Sequence, residues 1–212
     1  MLAAGILFSC GNTKTVKTED KKDVAEVTSL SKTFAVDVSA STLGWTGKKV
    51  TKQHNGTIGI KSGSISVEND QIKAGKFIVD MTTIRNIDLT DAGANTNLVG
   101  HLSSPDFFDV QRYQESRFEI TSAEKLAQPD SAGNNYNIMG NLTIKDVTKN
   151  ITIPAVVTMD STKFTAVSKF SIDRSEWNVQ YGSGKFFKGL GDNLIDDIIS
   201  FDLDLRAVPE NK

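Results

Sequence analysis

The chain has 212 residues, of which 38% are hydrophobic and 24% charged, and its formal net charge is −2. This balance gives nucleic-acid binding no electrostatic support, because proteins that bind nucleic acids present a surplus of Lys and Arg. Two His and one Cys are too few to build a Cys/His metal site. The length fits one β domain with a short tail, since barrels and sandwiches often reach about 200 residues as one unit.

The first predicted element is the remnant of a signal peptide over residues 1–9, which are apolar and small. A membrane span needs about 20 residues, so this run is too short to cross a bilayer. The run Leu7-Phe8-Ser9-Cys10 resembles a bacterial lipobox, which would make Cys10 the lipidated first residue of the mature protein. A signal peptide begins with a positively charged region, but no Lys or Arg precedes this run. We therefore expect the true translation start to lie upstream of Met1. A chance Cys after an apolar stretch is the alternative.

Residues 10–32 comprise this lipidated Cys and a polar stretch rich in Lys, Thr and Asp, without a sustained apolar period. Such a composition predicts a flexible tether. A lipid anchor and a tether would place the protein at the cell envelope, on the periplasmic side or at the surface. The folded domain is predicted to cover residues 33–208.

Within that domain, apolar and polar residues alternate with a period of two, which is typical of half-buried β-strands. Eight or more such runs are separated mostly by Gly, Asn, Asp and Ser, which predicts an all-β sandwich or a closed antiparallel barrel. The clearest run is the last, where Phe201, Leu203 and Leu205 alternate with polar residues. Residues Asp91–Val110 break the pattern and predict a short helix followed by a turn. Residues 182–197 predict a long loop with one helical turn.

Several predicted inward positions carry small residues, namely Gly140, Ala155, Ala166 and Ser168. An eight-stranded barrel is just wide enough either to fill itself or to hold one small ligand. The small residues therefore either leave room for a ligand or balance the volume of large neighbours. The pattern alone leaves both interpretations open.

The sequence offers no catalytic constellation. The segment Gly182-Ser183-Gly184-Lys185 has neither the spacing of a nucleophile elbow nor that of a phosphate loop. Asp202 and Asp204 share the solvent face of a strand, and His54 and His101 are more often residues that fix a turn than proton carriers. We therefore expect a protein that is not an enzyme and has no cofactor.

Four segments, in this order, resemble the motifs of the YceI-like family. They are His54-Asn55-Gly56, the nine residues 101–109 (HLSSPDFFD), the hairpin 140–149 (GNLTIKDVTK) and the stretch 173–177 (DRSEW). Asp146 stands where the family often has Gly. The resemblance covers about 33–208 and implies a lipocalin-like closed antiparallel barrel of about eight strands with one or two short helices. It also implies export to the periplasm and an internal tunnel for isoprenoid, quinone or fatty-acyl molecules.

On this tunnel hypothesis, apolar side chains line the wall, namely Trp45, Phe77, Val79, Phe118, Ile138, Leu142 and Phe170. A second set would close or gate it, namely Leu98, Leu102, Phe107 and Phe108. His101 and Arg174 would meet a polar head group, since Arg suits phosphate or carboxylate. The alternatives are a plain core for the wall residues and a structural ion pair for Arg174.

Two competing hypotheses remain. In the first, the barrel is the scaffold of an interaction lipoprotein whose function lies in an exposed patch over 181–190, with Phe186 and Phe187. In the second, the protein is an enzyme that turns over a lipid-linked substrate through His101. The residues also leave open whether two barrels pair as a homodimer.

Overall fold

The computed structural model describes residues 15–210, so the predicted signal peptide over residues 1–9 and the lipidated Cys10 lie outside the described residues. Within the described range the regular structure consists of ten strands, one α-helix and two short 3₁₀ helices. No helix in this range is both long enough and apolar enough to cross a bilayer.

The strands are numbered in chain order. Their bounds are β1 (Thr18–Glu19), β2 (Lys32–Val36), β3 (Thr42–Lys48), β4 (Gln53–Glu68), β5 (Gln71–Asn86), β6 (Glu115–Lys125), β7 (Tyr136–Ile144), β8 (Val147–Met159), β9 (Phe164–Asp173) and β10 (Ile198–Pro209). Helix α1 (Ala92–Ser103) lies between β5 and β6, as the break in alternation predicts. Two 3₁₀ helices lie between β9 and β10: Gly191–Asn193 falls within the loop predicted over residues 182–197, whereas Arg174–Trp177 precedes it.

Antiparallel pairing connects each strand from β4 to β10 with the next. Strand β10 then pairs with both β2 and β3, and both of these pair with β4. Since β2 and β3 share one position in the wall, the described strands close a barrel of eight positions. The predicted lipocalin-like closed antiparallel barrel is confirmed.

The period-two alternation explains which side chains enter the barrel, because successive residues of a strand point to opposite faces. In β10, Leu205 and Ala207 are buried, whereas Arg206 between them is exposed. Phe164 of β9 lies opposite Ala207 and is also buried. A large side chain thus faces a small one across the ladder, which balances their volumes.

The barrel has two different ends. The closed end carries the β4–β5 turn, the loop 126–135 and the β8–β9 turn, and a large apolar cluster fills it, including Phe34, Ile65, Ile72, Tyr136, Phe164 and Leu205. The open end carries the β3–β4 turn, helix α1 and the loop 178–197. Buried side chains in this half form two separate clusters, one of Ile58, Met81, Ile84 and Val110 and one of Ile144, Ile151, Ile153, Phe170, Ile172 and Trp177. This difference in packing determines where a ligand could be held.

Strands β8 and β9 separate towards the open end, and the N-terminal segment fills the gap between them. The two strands pair directly where Val156–Met159 faces β9. Further along, Thr18 pairs with Ile151 of β8, and the Val16 N–H donates to the Ser171 carbonyl oxygen of β9 at 2.8 Å. The segment therefore satisfies backbone groups that β8 and β9 do not satisfy for each other.

Two buried asparagines hold the next part of this segment. The Asn141 side chain accepts the Lys22 N–H at 3.1 Å and donates to the Lys22 carbonyl oxygen at 2.7 Å. Asn150 Nδ2 donates to Asn141 Oδ1 at 3.1 Å and to the Thr121 hydroxyl at 3.0 Å. One amide side chain thus pairs with both backbone groups of Lys22, much as a neighbouring strand would.

These contacts correct the prediction that residues 10–32 form a flexible tether. Of the described part, residues 15–25 lie against the outer wall of the barrel, and the Ala25 N–H donates to the Ile120 carbonyl oxygen at 3.0 Å. Composition misleads here because backbone and amide hydrogen bonds hold the segment, and such bonds leave no apolar period in the sequence.

Candidate functional site

A cavity of about 510 Å³ lies in the open half of the barrel, and we call it the main cavity. Strands β3, β4, β5, β6, β7, β9 and β10 supply its wall, while α1 and the residues after it supply its cover. Most of the lining is apolar, including Leu43, Trp45, Ile58, Val79, Met81, Ile84, Leu98, Leu102, Phe107, Phe108, Leu142, Ile144, Phe170, Ile195, Ile199 and Phe201. Sites of about 300–1,000 Å³ with this character commonly bury small organic ligands.

A second space of about 140 Å³, the inner cavity, lies deeper towards the closed end. Its lining is apolar apart from Ser168, whose hydroxyl donates to the Pro154 carbonyl oxygen. Four side chains line both spaces, namely Leu43, Val79, Leu142 and Phe170. The two cavities therefore adjoin at a ring formed by these four residues.

Helix α1 covers the main cavity while remaining largely exposed. Asp91 caps its first turn by accepting the Ala94 N–H at 2.7 Å, and Ser104 ends it. Leu98 and Leu102 line the cavity. Yet α1, which the structure describes along its full length, buries none of its side chains completely. An element with so little buried apolar surface opens at lower free energy than the strands of the wall.

Asp88 fastens the chain that leads into α1 to strand β4. Its carboxylate accepts the Asn55 N–H at 2.9 Å and lies 2.8 Å from His54 Nδ1, and Asn86 Nδ2 donates to it as well. Burial raises the pKa of the Asp88 carboxyl, but the hydrogen bonds from Asn55, His54 and Asn86 outweigh it, so the pKa lies below its ordinary value. His54 here is a hydrogen-bonding residue that holds the connection to the cover.

Gly56 completes the segment that begins at His54, and the local packing requires a glycine there. A Cβ atom at this position would lie 1.8 Å from the Arg85 carbonyl oxygen and 2.6 Å from the Trp45 ring. The indole of Trp45 therefore packs directly against the Gly56 backbone, which sets it in the wall of the main cavity.

Three rings close one side of the mouth. The His101 ring meets Phe107 edge-on at a centroid distance of 5.0 Å and Tyr181 edge-on at 4.6 Å. The Arg174 guanidinium lies 5.6 Å from the Phe107 ring centroid, and His101 Nε2 lies 3.5 Å from the Asp106 carboxylate. These contacts join the end of α1 to the loop after β9 across the cavity mouth.

Arg174 is 1% exposed, and protein groups occupy each of its three nitrogens. Nε donates to the Asp196 carbonyl oxygen, Nη1 to that of Val179 and Nη2 to that of Ile195. Nη2 also lies 3.1 Å from Asp197 Oδ1. Burial lowers the pKa of Arg174 and Asp197 opposes this shift, but a guanidinium stays charged in either case. The geometry favours the structural ion pair, one of the two roles left open by the sequence, over contact with a head group.

The structure brings the thirteen predicted site residues together around the two cavities. Ten line the main cavity, namely Trp45, Val79, Leu98, His101, Leu102, Phe107, Phe108, Leu142, Phe170 and Arg174. The other three, Phe77, Phe118 and Ile138, line only the inner cavity. Their role in binding a ligand stays a prediction.

The small inward residues divide between the two explanations. A Cβ atom at Gly140 would lie 2.3 Å from the Phe118 ring, so this glycine balances the volume of a large neighbour. Ala155, Ala166 and Ser168 instead line the inner cavity, where their small side chains leave space.

Sequence reasoning missed part of the lining. Ile58 and Phe201 carry a usable signal, because both occupy inward positions of alternating runs. Lys48, Lys49 and Lys52 also border the main cavity, but a lysine-rich turn has no periodic signal that would connect it to an apolar space.

Solved structures share this fold. BcnA of Burkholderia cenocepacia superimposes with a TM-score of 0.62 at 22% identity, covering 82% of this chain and 99% of that one. A polyisoprenoid binding domain from Saccharophagus degradans implicated in plant cell wall breakdown gives a TM-score of 0.59 at 13% identity, covering 84% and 98%. A Campylobacter jejuni YCEI protein gives 0.52 at 14% identity, covering both chains fully. Likeness at these identities shows the fold alone.

Sequence comparison adds a curated relative and a family. A UPF0312 protein of Serratia proteamaculans (strain 568) is 33% identical over 73 residues, which span 33% of this chain and 35% of the relative. The match therefore covers about a third of that relative's length. The profile of the YceI-like domain matches residues 34–207, which include the whole barrel wall from β2 to β10 apart from its terminal residues. The chain belongs to the YceI-like domain family.

Proposed function

We propose that this protein binds one long apolar molecule, of the isoprenoid, quinone or fatty-acyl type, inside the barrel at the bacterial cell envelope. The observation that carries the proposal is the pair of adjoining apolar cavities inside a closed barrel. The Saccharophagus degradans domain of the same fold, a polyisoprenoid binding domain by description, supports the same class of ligand. The protein would act as a carrier, store or sensor of its ligand, without covalent chemistry.

The cavity lining favours binding through apolar surface. Each buried CH₂ group contributes roughly 0.8 kcal/mol, so a chain of about twenty carbons contributes on the order of 15 kcal/mol before losses of ligand freedom. Such an interaction needs no strong polar contact. It therefore selects ligands by length and girth.

The ring between the two cavities sets the length dependence. A short tail fits the main cavity, whereas a longer tail has to pass Leu43, Val79, Leu142 and Phe170 to enter the inner cavity. The Val79→Phe variant narrows this ring. Val156→Phe is the matched control, because Val156 lies on the outside of β8 with 37% exposure.

The experiment measures the affinity of both variants and of the wild type for linear prenyl alcohols of increasing length. Wild type and Val156→Phe should bind longer alcohols progressively more tightly, while Val79→Phe should bind short ones normally and lose the gain for long ones. Affinities that are independent of length and equal in all three proteins would contradict an internal site.

Attachment through Cys10 is a second part of the proposal. Its test is metabolic labelling with a radioactive fatty acid in a bacterial host. Label that remains on the Cys10→Ser variant would contradict lipidation at this residue.

His101→Ala should leave ligand binding largely intact, whereas turnover of a lipid-linked substrate that this change abolishes would favour the enzyme hypothesis.

A further inference from the structure

Two loops project side by side from the rim of the open end, and we call them the rim loops. The first is the β3–β4 turn, closed by the Lys49 N–H donating to the Lys52 carbonyl oxygen at 2.7 Å. The second covers residues 183–194, and its base is closed by the Ile195 N–H donating to the Gly182 carbonyl oxygen at 2.8 Å. A backbone bridge between Lys49 and Ile195 joins the two loops.

The rim loops expose several large apolar side chains to solvent. Phe186 and Phe187 are 47% and 49% exposed, and Val50 at the tip of the other loop is 61% exposed. Leu194 and Tyr181, at the base of the second loop, are 37% and 44% exposed. Large apolar side chains gathered on one surface mark an interaction site, whereas single exposed ones are ordinary.

Lysines surround these apolar side chains. Lys48, Lys49, Lys52 and Lys188 all lie in or beside the rim loops, and among residues 15–210 none of the four is within ion-pair distance of a carboxylate. Lys185 is the exception, since it is held by the Asp173 carboxylate and by the Ser175 hydroxyl.

Residues 48–52 and 181–197 contain five lysines and three aspartates, which leaves a surplus of two positive charges. Asp192 is exposed in the second loop, Asp196 at its base accepts the Ile198 N–H, and Asp197 is paired with Arg174. The chain as a whole carries a net charge of −2, so this positive surface contrasts with the rest of the molecule.

We propose that the rim loops form a docking surface for an anionic lipid bilayer. Aromatic and aliphatic side chains enter the interfacial layer of a membrane, while lysines around them attract anionic head groups. The main cavity is bordered by Lys48, Lys49, Lys52 and Tyr181, so docking brings its mouth to the membrane surface. The combination of exposed aromatic and aliphatic side chains with lysines around them matches the apolar and the anionic layer of such a bilayer, which is why we assign the surface to lipid. The proposal concerns the outside of the barrel and does not depend on which ligand the cavity takes.

The test uses the full chain with Cys10→Ser, so that no lipid anchor contributes to membrane binding. Co-sedimentation is measured with vesicles of phosphatidylglycerol and phosphatidylethanolamine, and with vesicles of phosphatidylcholine alone. We expect binding to the anionic vesicles only, and a decrease in binding as salt screens the charges.

Two sets of variants locate the surface. In that background, Phe186→Ser/Phe187→Ser should weaken vesicle binding by about tenfold or more, because it removes exposed apolar area. Lys48→Gln/Lys49→Gln/Lys52→Gln should weaken it by about fivefold for each lysine removed. The matched controls lie at the closed end, where Lys125→Gln/Lys163→Gln and Leu30→Ser should bind like the parent.

Thermal melting of each variant, followed by circular dichroism, shows whether the fold persists. Loss of binding in folded rim variants with intact controls supports the proposal. Three outcomes overturn it: absence of binding to anionic vesicles, equal losses in the closed-end controls, or capture of an envelope protein through the same side chains without any vesicle binding. The last outcome would favour the interaction lipoprotein. Ligand affinity for the cavity is measured separately, so a failure here leaves the proposed function untouched.

Discussion

The two ends of the barrel are built largely from the same strands but are packed in different ways. At the closed end, large side chains such as Phe34 and Phe164 meet at a ring distance of 6.1 Å, and the space that remains is the inner cavity of about 140 Å³. In the open half, two separate buried clusters lie against the wall, and a space of about 510 Å³ remains beneath α1 and the rim loops. The open end therefore holds the larger empty space, and the closed end is the more densely packed of the two.

This comparison explains why the cover of the cavity is held by polar contacts. Asp88 joins the start of α1 to β4, and the buried Arg174 organises the loop at its other side. Hydrogen bonds of this kind fix a geometry without filling space. The cavity thereby keeps its shape although few apolar side chains support it from above.

The largest expected effect is the loss of packing at the closed end. Phe164→Ala should lower the free energy of unfolding by about 4 kcal/mol, because it removes an almost fully buried aromatic side chain from the apolar cluster of the closed end. Leu98→Ala, on the cover of the main cavity, should cost less than about 1 kcal/mol, because this side chain is only partly buried in the folded protein. Urea denaturation of both variants measures the difference. Equal losses would remove the distinction between the two ends.

Arg174→Met should cost about 3 kcal/mol, because it leaves Asp197 buried without its partner. Adding Asp197→Asn should recover part of this loss. Chemical denaturation of both variants, together with ligand affinity measured where they remain folded, checks the structural role. A variant of full stability that no longer binds ligand would instead favour contact between Arg174 and a head group.

Gly100→Ala tests whether α1 is a moving cover. Nothing lies within 4 Å of a Cβ atom at this position, and alanine in a helix interior is more stable than glycine by about 0.5–1 kcal/mol. Stopped-flow measurements should show slower ligand uptake and slower release, with a small change in affinity. Unchanged rates would argue that the ligand enters elsewhere.

The smallest expected effect concerns acid stability. Burial raises the pKa of Asp173, but hydrogen bonds from Lys185 and Ser175 outweigh it and lower the pKa below its ordinary value. The stabilisation from this group is therefore complete above the unfolded pKa of about 3.9 and is lost as the pH falls through the lower folded value. Asp173→Asn should be less stable than wild type near neutral pH, and the gap should close in acid. Urea denaturation of both proteins across the pH range measures this difference in stability. A difference that stays constant with pH would contradict the assignment.

The strands and the walls of the cavities could be predicted from the sequence, because both follow from alternation. A residue such as Phe170 or Leu142 occupies an inward position by its place in a run, and inward positions line whatever space remains. The resemblance to the YceI-like family placed His101, Phe107 and Phe108 near the mouth for a different reason, since α1 and its turn have no period of two.

Other features could not be predicted because they depend on contacts between distant segments. The N-terminal residues 15–25 are held by Asn141 and by backbone groups of β6, β8 and β9. No local sequence pattern predicts these contacts. The size of the main cavity depends on how far α1 stands from the wall. Arg174 looked suited to an anionic head group, and its burial among three carbonyl oxygens emerges only from the fold of the loop 178–197.

The most direct test of the central claim is native mass spectrometry of the full chain carrying Cys10→Ser, purified from a bacterial host without detergent and followed by lipid extraction after denaturation. The account predicts a complex with one apolar molecule of a few hundred daltons that leaves on denaturation, and a Val79→Phe complex enriched in shorter molecules. A protein that is isolated empty, and stays empty after incubation with isoprenoid, quinone and fatty-acid mixtures, would contradict the claim that this barrel holds an apolar ligand.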